Sequence, residues 1–394
     1  MTRLGAVLST GESIRPISAD SHIVEPGNCY IDNIESKYAE RAPRIIRSET
    51  ADGLPMDAFL IDGLSPPISV MSVSSAGRDP SESFHAGTVE DARQGGWDPH
   101  ARIADQDRDG IAAEMLYPSI GMVLCSHTDI DYKHACMWAY NRWLQKFCSA
   151  YPDRLFGLGQ TSARDVKEIV ADLQKFKNMG FKGIMLPGFP ATEEDYSHAS
   201  YDAVWEASVD LDMPITFHIL TTNHPKSGKN WTDPDFRGNS RMNAFHGLIR
   251  GVQDILGMFV FDGILDRFPD LKVVCTEADA GWVPHFMHRM DHVYHRFFGT
   301  LKGVKFSKTP SEFFRENFYV TFQDDWSAFK MAHLMNPKRL MWANDYPHSD
   351  STWPNSQPLL QSHTSDLQDE DKRAILRDNV TQLYKLEAAV FAEA

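Results

Sequence analysis

Short apolar runs that end in polar residues recur along the chain. Eight of them have the length of a β-strand, at residues 15–20, 112–118, 154–160, 182–187, 214–218, 271–277, 317–322 and 339–345. Most intervals between them carry apolar residues at helical spacing, as in Met137, Tyr140, Leu144 and Phe147. Strands that alternate with helices pair in parallel, and eight such units predict a (β/α)8 TIM barrel. The rival fold, a dinucleotide-binding sheet, requires a GxGxxG motif after an early strand, and the sequence has none.

Two irregular stretches interrupt this alternation. Residues 29–108 are rich in Pro, Gly, Asp and Ser and separate the first predicted strand from the second. We interpret them as a long insertion over the barrel mouth. The insertion is a lid, an oligomer contact or a surface segment without a catalytic role. Residues 221–243 follow the fifth strand, on the face where barrels carry their substrate loops. We therefore expect residues 1–394 to form one barrel domain with an insertion after the first strand.

Composition narrows the range of partners and compartments. The 394 residues carry 54 acidic and 39 basic side chains, and a net charge of −15 makes nucleic acid and anionic lipid poor partners. No apolar run approaches the roughly 18 residues of a membrane span, and the apolar stretch near the N-terminus is too short for a signal peptide. The five cysteines are scattered without a CxxC pair. This pattern favours free thiols and a cytoplasmic location over a disulfide framework or a thiolate zinc site.

Metal-ligand residue types fall at the end of the first predicted strand. Asp20 and His22 are two positions apart, so strand alternation places both side chains on one face. A carboxylate and an imidazole placed in this way can share a divalent metal ion. Glu25 follows in the next loop, near enough to be a further ligand or a base.

Three later strands end in the same residue types. His218 ends the fifth strand, Glu277 ends the sixth, and Asp345 ends the eighth with His348 three residues further on. The carboxyl ends of barrel strands meet on one face, so these side chains are expected to cluster there. Because the burial of unpaired carboxylates costs several kcal/mol, such a cluster needs a cation or protons. The pattern therefore predicts a metal centre in preference to a hydrogen-bonded polar network.

Several segments together resemble the amidohydrolase superfamily. They are ADSHIVEP, GWDPHARIADQDRDGIAAEMLYPS, TFHI, EADAGWVPHFMHRMD and NDYPHSDSTWP, and the resemblance extends from residue 17 to residue 386. It is closest to the amidohydrolase-2 branch, which includes aminocarboxymuconate-semialdehyde decarboxylase, aromatic-acid decarboxylases and related hydrolases. The resemblance implies that Asp20, His22, His218 and Asp345 are metal ligands.

The chain departs from the family pattern at two positions. Asp20 stands where the family opens with HxH or ExH, and Glu277 stands where strand six of the family ends in a histidine. Compared with the HxH opening and with the strand-six histidine, both departures replace nitrogen with oxygen, which favours harder ions such as manganese, iron(II) or magnesium over zinc. With Glu25 also available, a two-metal centre is possible. The expected cofactor is a divalent metal ion (Zn, Mn or Fe), one or two per chain.

The predicted activity is that of a metal-dependent hydrolase or non-oxidative decarboxylase, acting on a small cyclic or aromatic carboxylic acid or ester. In hydrolysis Asp345 is the natural base at the metal, and His348 or Glu277 assists proton delivery. Arg241 could pair with a substrate carboxylate through a bidentate fork. The aromatic side chains of Trp231 and Trp353 are expected to line an apolar pocket.

Two other functions fit the same residues. A carboxylate-rich site on this barrel could hold two irons and act as a non-haem monooxygenase, which iron content and oxygen consumption would reveal. The third hypothesis is a non-catalytic barrel that binds a metal ion, although the ligand set is more complete than such a protein requires. The resemblance also implies a homo-oligomer, most simply a dimer.

Overall fold

Parallel strands form the centre of the molecule. The computed structural model describes residues 6–9, 11, 13–79, 82, 85–221, 246–297 and 305–387. Within these residues the central strands are β1 (Ile17–Ile23), β2 (Ala113–Pro118), β3 (Leu155–Gly157 and Gly159–Gln160), β4 (Ile184–Met185), β5 (Ile215–His218), β6 (Val273–Thr276), β7 (Phe318–Phe322) and β8 (Leu340–Trp342). Every residue of these strands is buried, as expected for a parallel sheet that is covered on both faces.

The strands lie side by side in chain order, from β1 to β8, and all neighbouring pairs are parallel. The loop after β8 returns to β1: the Asp345 N–H donates to the Asp20 carbonyl (3.1 Å), and the His22 N–H donates to the Tyr346 carbonyl (2.6 Å). A bulge between Ser18 and Ser21 shifts the register of β1 against β2. The predicted (β/α)8 barrel is confirmed, and each predicted strand overlaps an observed one.

Helices cover the outside of the strands. The main ones are α1 (Pro99–Asp109), α2 (Ile130–Ser149), α3 (Val166–Asn178), α4 (Asp202–Asp210), α5 (Ile249–Phe261), α6 (Val283–Phe297), α7 (Trp326–Met331) and α8 (Ser356–His363). Further α-helices are Gly27–Ile31, Ile120–Leu124, Ile264–Arg267, Pro310–Asn317, Asp369–Arg373 and Asn379–Leu383. None of the helices in the described ranges is long and apolar enough to cross a membrane.

The α3 helix shows why these sequences form helices against the barrel. Asp165 caps its N-terminus by accepting from two backbone N–H groups, and Ile169, Leu173 and Phe176 form its buried face. Gly180, with a φ of 86°, follows the helix in the left-handed conformation that glycine adopts most easily. The capping residue and the apolar spacing therefore set the start and the orientation of α3.

The segment 29–108 contains its own small sheet and a barrel helix. Strands Arg44–Glu49, Pro55–Leu60 and Ile68–Ser69 pair in antiparallel order. The segment then enters α1, which starts at its cap Asp98 and leads into β2. The last ten residues of the predicted insertion are therefore the helix that connects back to the barrel. Asp98 caps its start, and its buried residues are the polar Arg102, Gln106 and Asp109.

Trp353, predicted to line a substrate pocket, instead fastens this segment to the loop after β8. Its side chain is only 3% exposed. The guanidinium groups of Arg93 (4.3 Å) and Arg108 (4.8 Å) both lie over its ring, and its Nε1–H donates to the Asp105 carbonyl (3.1 Å). Stacked cations and a satisfied indole N–H are the contacts of a packing residue. The segment is therefore a bound part of the barrel mouth.

We expect Trp353→Ala to lower the free energy of unfolding by about 3–5 kcal/mol, because it empties a buried site beside Arg93 and Arg108. Denaturant-induced unfolding followed by circular dichroism measures the change. Trp326 is the matched control, because its side chain is 61% exposed, and Trp326→Ala should change the value by less than about 0.5 kcal/mol. Equal effects of the two substitutions would contradict the role assigned to Trp353.

Candidate metal centre

Six ionisable side chains meet at the carboxyl end of the barrel. Two come from β1, one ends β5, one follows β6 and two follow β8. They form two overlapping sets whose ligand atoms all lie within 4.8 Å of one another: Asp20, His22, His218 and Glu277 in the first, and His22, Glu277, Asp345 and His348 in the second. The cluster of strand-end ligands that was predicted from the sequence is thus present.

The nitrogen and oxygen atoms of the cluster face each other across short gaps. His22 Nε2 lies 3.4 Å from Asp20 Oδ1 and 3.3 Å from both Glu277 Oε2 and Asp345 Oδ1. His218 Nε2 lies 3.1 Å from Glu277 Oε2 and 3.7 Å from Asp20 Oδ1. Each imidazole therefore points one nitrogen at two or more carboxylate oxygens.

Backbone carbonyls fix which ring nitrogen faces the cluster. His22 Nδ1 lies 3.0 Å from the Pro118 carbonyl oxygen, and His218 Nδ1 lies 2.9 Å from that of Ile219. A carbonyl can only accept, so both Nδ1 atoms carry hydrogen and donate. The Nε2 atoms are left with a lone pair for a proton or a metal ion. A metal-ligating histidine usually donates such a hydrogen bond from the ring nitrogen that does not bind the metal.

Many polar atoms of the cluster are buried without a hydrogen-bond partner in the described part of the chain. They are both carboxylate oxygens of Asp20 and of Asp345, Oε2 of Glu277, and Nε2 of His22 and of His218. Buried polar atoms are normally satisfied, and a buried carboxylate without a partner is costly. Carboxylate oxygens and imidazole nitrogens are suitable ligands for divalent metals. The side chains therefore form a group that could hold a divalent metal ion.

The pKa values show how the cluster balances its charge when only protons are available. Burial alone would lower the pKa of His22 and of His218, but the carboxylates of Asp20 and Glu277 raise both to about 10. Burial, together with the charge of Glu277, raises the pKa of Asp345 well above its usual range. These shifts favour protonated imidazoles and a protonated Asp345, and a divalent cation would take the place of those protons.

Two of the carboxylates follow their strands in a left-handed backbone conformation. Glu277 has a φ of 57° and Asp345 a φ of 53°. Residues other than glycine seldom adopt this conformation, and its cost is met only where the surroundings hold it. The Glu277 N–H donates to Thr321 Oγ1 (2.8 Å), and the Asp345 N–H donates to the Asp20 carbonyl (3.1 Å). These bonds turn both carboxylates into the barrel mouth.

His348 joins the cluster through a serine that the sequence did not reveal. Its ring stacks on His22 with centroids 3.8 Å apart. The hydroxyl of Ser119 donates to the Ile23 carbonyl (2.7 Å), so His348 Nε2 donates to Ser119 Oγ (2.9 Å). His348 Nδ1 then faces Asp345 Oδ1 at 3.1 Å. Ser119 lies 229 positions before His348, and no local pattern marks the pair.

Glu25, predicted as a ligand or base, is not brought into the cluster. Its two carboxylate oxygens accept from the backbone N–H groups of Ile120 and Gly121, both at 3.0 Å, and Oε1 also accepts from the Tyr30 hydroxyl (3.3 Å). Glu25 thus caps the short helix that begins directly after Ser119. It supports the turn that presents Ser119 to His348.

The predicted substrate residues are not part of this cluster as the structure describes it. Arg241 and Trp231 lie outside the described residues. Trp353 is buried, and its ring contacts Arg93, Arg108 and Tyr346. The described part of the site therefore consists of the ligand cluster and the groups that orient it.

The fold and this cluster together define a class, the barrel enzymes that carry a metal-binding group at the carboxyl ends of their strands. The sequence profile of the amidohydrolase family Amidohydro_2 matches residues 78–386. The chain belongs to this family and is an enzyme of the amidohydrolase superfamily, as its motifs indicated.

Three relatives illustrate the similarity. Decarboxylase orsB of Emericella nidulans is 23% identical over 207 residues, which are 50% of this chain and only 59% of that protein. An amidohydrolase from Mycobacterium avium subsp. paratuberculosis superposes with a TM-score of 0.75 at 19% identity, covering 95% of this chain and 100% of its own. The 5-carboxyvanillate decarboxylase of Novosphingobium aromaticivorans, complexed with manganese and 4-hydroxy-3-methoxy-5-nitrobenzoic acid, superposes with a TM-score of 0.69 at 18% identity, covering 98% and 100%. At these identities the two structures establish the fold.

We expect Glu25→Gln to leave the manganese content of the protein unchanged, because Glu25 accepts hydrogen bonds outside the cluster. It should lower the free energy of unfolding by about 1–3 kcal/mol, since the amide group of glutamine cannot accept from both backbone N–H groups. Asp20→Asn is the comparison, and it should lose most of its manganese. Elemental analysis of manganese-loaded, desalted protein gives the contents. A folded Glu25→Gln variant without manganese would instead identify Glu25 as a ligand.

Proposed function

We propose that this protein is a divalent-metal-dependent, non-oxidative decarboxylase of a small aromatic carboxylic acid, with manganese as its metal. One observation carries the proposal: buried carboxylate and imidazole atoms converge without hydrogen-bond partners at the catalytic end of the barrel. Membership of the amidohydrolase family supports it. So do the decarboxylases among its relatives, one of which holds manganese and a hydroxylated nitrobenzoic acid.

The proposed metal ligands are Asp20, His22, His218 and Asp345, with Glu277 as a fifth. Their facing atoms are the ones that lack partners, and the ring nitrogens are already oriented by carbonyls on their far sides. A bound ion would draw electron density from the carboxylate of the substrate and from a neighbouring oxygen. The excess of oxygen over nitrogen in the ligand set favours manganese over zinc.

The opening of the cluster lies beside Glu277 and His348. Their side chains are 15% and 11% exposed, whereas those of His22, His218 and Asp345 are almost completely buried. A substrate would therefore approach over Glu277 and His348. The buried side chains would keep water away from the reacting carbon, which strengthens electrostatic interactions there.

Decarboxylation breaks the bond between the ring carbon and the carboxyl carbon, and the bonding electrons stay on the ring carbon. Carbon dioxide leaves, and the ring carbon takes up one proton. Asp345 Oδ1 and His348 Nδ1 lie 3.1 Å apart and can share a proton between them. We assign delivery of this proton to Asp345. Because the proton stays in the product, we assign to His348, which is partly exposed, the transfer of a replacement proton from solvent to Asp345.

Hydrolysis is the second candidate, because the same ligand atoms could activate water for attack on an ester or amide. The two reactions differ in their substrates and products. Aromatic acids that release carbon dioxide identify a decarboxylase, and aryl esters or lactones that are opened with uptake of water identify a hydrolase. A two-iron monooxygenase would differ from both by its iron content and its consumption of oxygen.

We expect the protein, purified without chelator and loaded with manganese chloride, to retain about one manganese per chain and to decarboxylate an ortho-hydroxylated benzoic acid. Elemental analysis gives the metal content, and loss of ultraviolet absorbance together with carbon dioxide release gives the activity. The panel includes 5-carboxyvanillate, other hydroxybenzoates and aryl esters. Turnover of esters alone would show that the protein is a hydrolase and not a decarboxylase. No retained metal, with no turnover, would contradict the metal centre.

We expect Asp345→Asn to lower kcat by about 10²–10⁴-fold at saturating manganese, because asparagine can neither deliver the proton nor offer a carboxylate to the metal. The matched control is Asp172→Asn, which changes a buried aspartate on α3 that binds Thr161 and Lys175. The control should keep its kcat within about threefold while losing some stability. Steady-state assays on the identified substrate give the kcat of both variants. An active Asp345→Asn variant would exclude Asp345 as the proton donor.

A further inference from the structure

The barrel has a seam between its last and first strands. Neighbouring strands from β1 to β8 are paired by regular ladders in the described residues, whereas β8 reaches β1 through the loop that follows it. The His22 N–H donates to the Tyr346 carbonyl, and the Asp345 N–H donates to the Asp20 carbonyl. Ligands of the cluster lie on both sides of this seam, so its width sets the distance from His22 to Asp345.

Arg102 of α1 lies at this seam, completely buried. Its Nη1 donates to the carbonyl of His22 (2.8 Å) and to that of Gly95 (3.2 Å), and its Nη2 donates to the carbonyl of Tyr346 (3.3 Å). The guanidinium carbon also lies 4.6 Å from the centre of the Tyr346 ring. One rigid group thus holds β1 and the residue directly after Asp345.

The guanidinium group is itself held in place. Its Nε donates to the buried carboxylate of Glu114 on β2, and Gln106 Nε2 donates to the same Glu114 oxygen (2.7 Å). The other Glu114 oxygen accepts from Ser21 Oγ (3.3 Å). The planar guanidinium presents several donors in a fixed geometry, which a lysine cannot reproduce.

We propose that Arg102 is a positioning residue of the metal centre, and this inference rests on the proposed function. By bonding to the carbonyls of His22 and Tyr346, Arg102 keeps His22 Nε2 and Asp345 Oδ1 at the spacing that one ion requires. Metal sites tolerate displacements of only a few tenths of an ångström. Loss of the guanidinium therefore weakens metal binding beyond its effect on folding.

Arg154 provides a matched control at the opposite end of the strands. Its Nε donates to the Ala112 carbonyl (2.9 Å), its Nη2 donates to the Ile111 carbonyl (3.1 Å), and it pairs with Asp107 (2.8 Å). Like Arg102, it joins a carboxylate to backbone carbonyls beside β2. It differs in two respects: none of these carbonyls adjoins a residue of the cluster, and its side chain is 21% exposed whereas that of Arg102 is buried.

The experiment compares Arg102→Lys with Arg154→Lys in the full-length, metal-free protein. Titration calorimetry with manganese chloride gives the Kd, and thermal unfolding of the metal-free protein gives the Tm. We expect Arg102→Lys to raise the Kd by about 10–100-fold, as loss of an outer hydrogen-bonding group typically does. Arg154→Lys should lower the Tm but leave the Kd within about threefold. If Arg102→Lys does not fold, the double variant Arg102→Met with Glu114→Gln, which removes both buried charges, takes its place in the titration.

The outcomes separate the two proposals. If the unchanged protein binds manganese and the Kd rises for the Arg102 variant alone, Arg102 positions the metal centre. If the unchanged protein binds manganese but both arginine variants bind it equally well, the role of Arg102 is overturned and the metal centre stands. If the unchanged protein binds no manganese, the proposed metal centre fails and the role of Arg102 fails with it.

Discussion

The burial of three carboxylates at one point is the constraint on which the rest of this structure depends. Asp20, Glu277 and Asp345 converge with two imidazoles, and most of their facing atoms have no hydrogen-bond partner among the described residues. Each buried ion costs several kcal/mol unless an opposite charge compensates it. Protons or a cation must supply that charge. The barrel holds the side chains in place against their repulsion, and this is the condition for binding a metal ion tightly.

Local strain concentrates where the ligands leave their strands. Glu277 and Asp345 adopt left-handed backbone conformations, and the β1 bulge between Ser18 and Ser21 lies just where Asp20 turns into the cluster. Each such left-handed conformation costs on the order of 1–3 kcal/mol and persists only in rigid surroundings. A bulge reorients a side chain that regular alternation would aim elsewhere. The surrounding strands and the groups at the seam provide the rigidity that keeps these conformations in place.

The sequence predicted the features that arise from local patterns. Parallel strands are buried on both faces, so they appear as apolar runs, and a polar residue at the end of such a run marks the catalytic face. This reasoning located His218, Glu277 and Asp345. It could not place Glu25, whose oxygens bind N–H groups about 95 positions away, or Trp353, whose nearest cations lie in the distant segment 29–108. Such pairings depend on how the whole barrel closes, which no local pattern encodes.

The number of ligands bears on the choice of metal. A structural zinc takes four ligands in a tetrahedral arrangement, and it would leave at least one of the five side chains of this set without a bond to the metal. Manganese accepts up to six ligands, mostly oxygen, so one ion can use Asp20, Glu277 and Asp345 together with His22 and His218 and still leave a position open. Relative to histidines at positions 20 and 277, the carboxylates of Asp20 and Glu277 have two physical consequences. They raise the negative charge that the ion must neutralise, and they favour an ion that can contact all of the carboxylates at once.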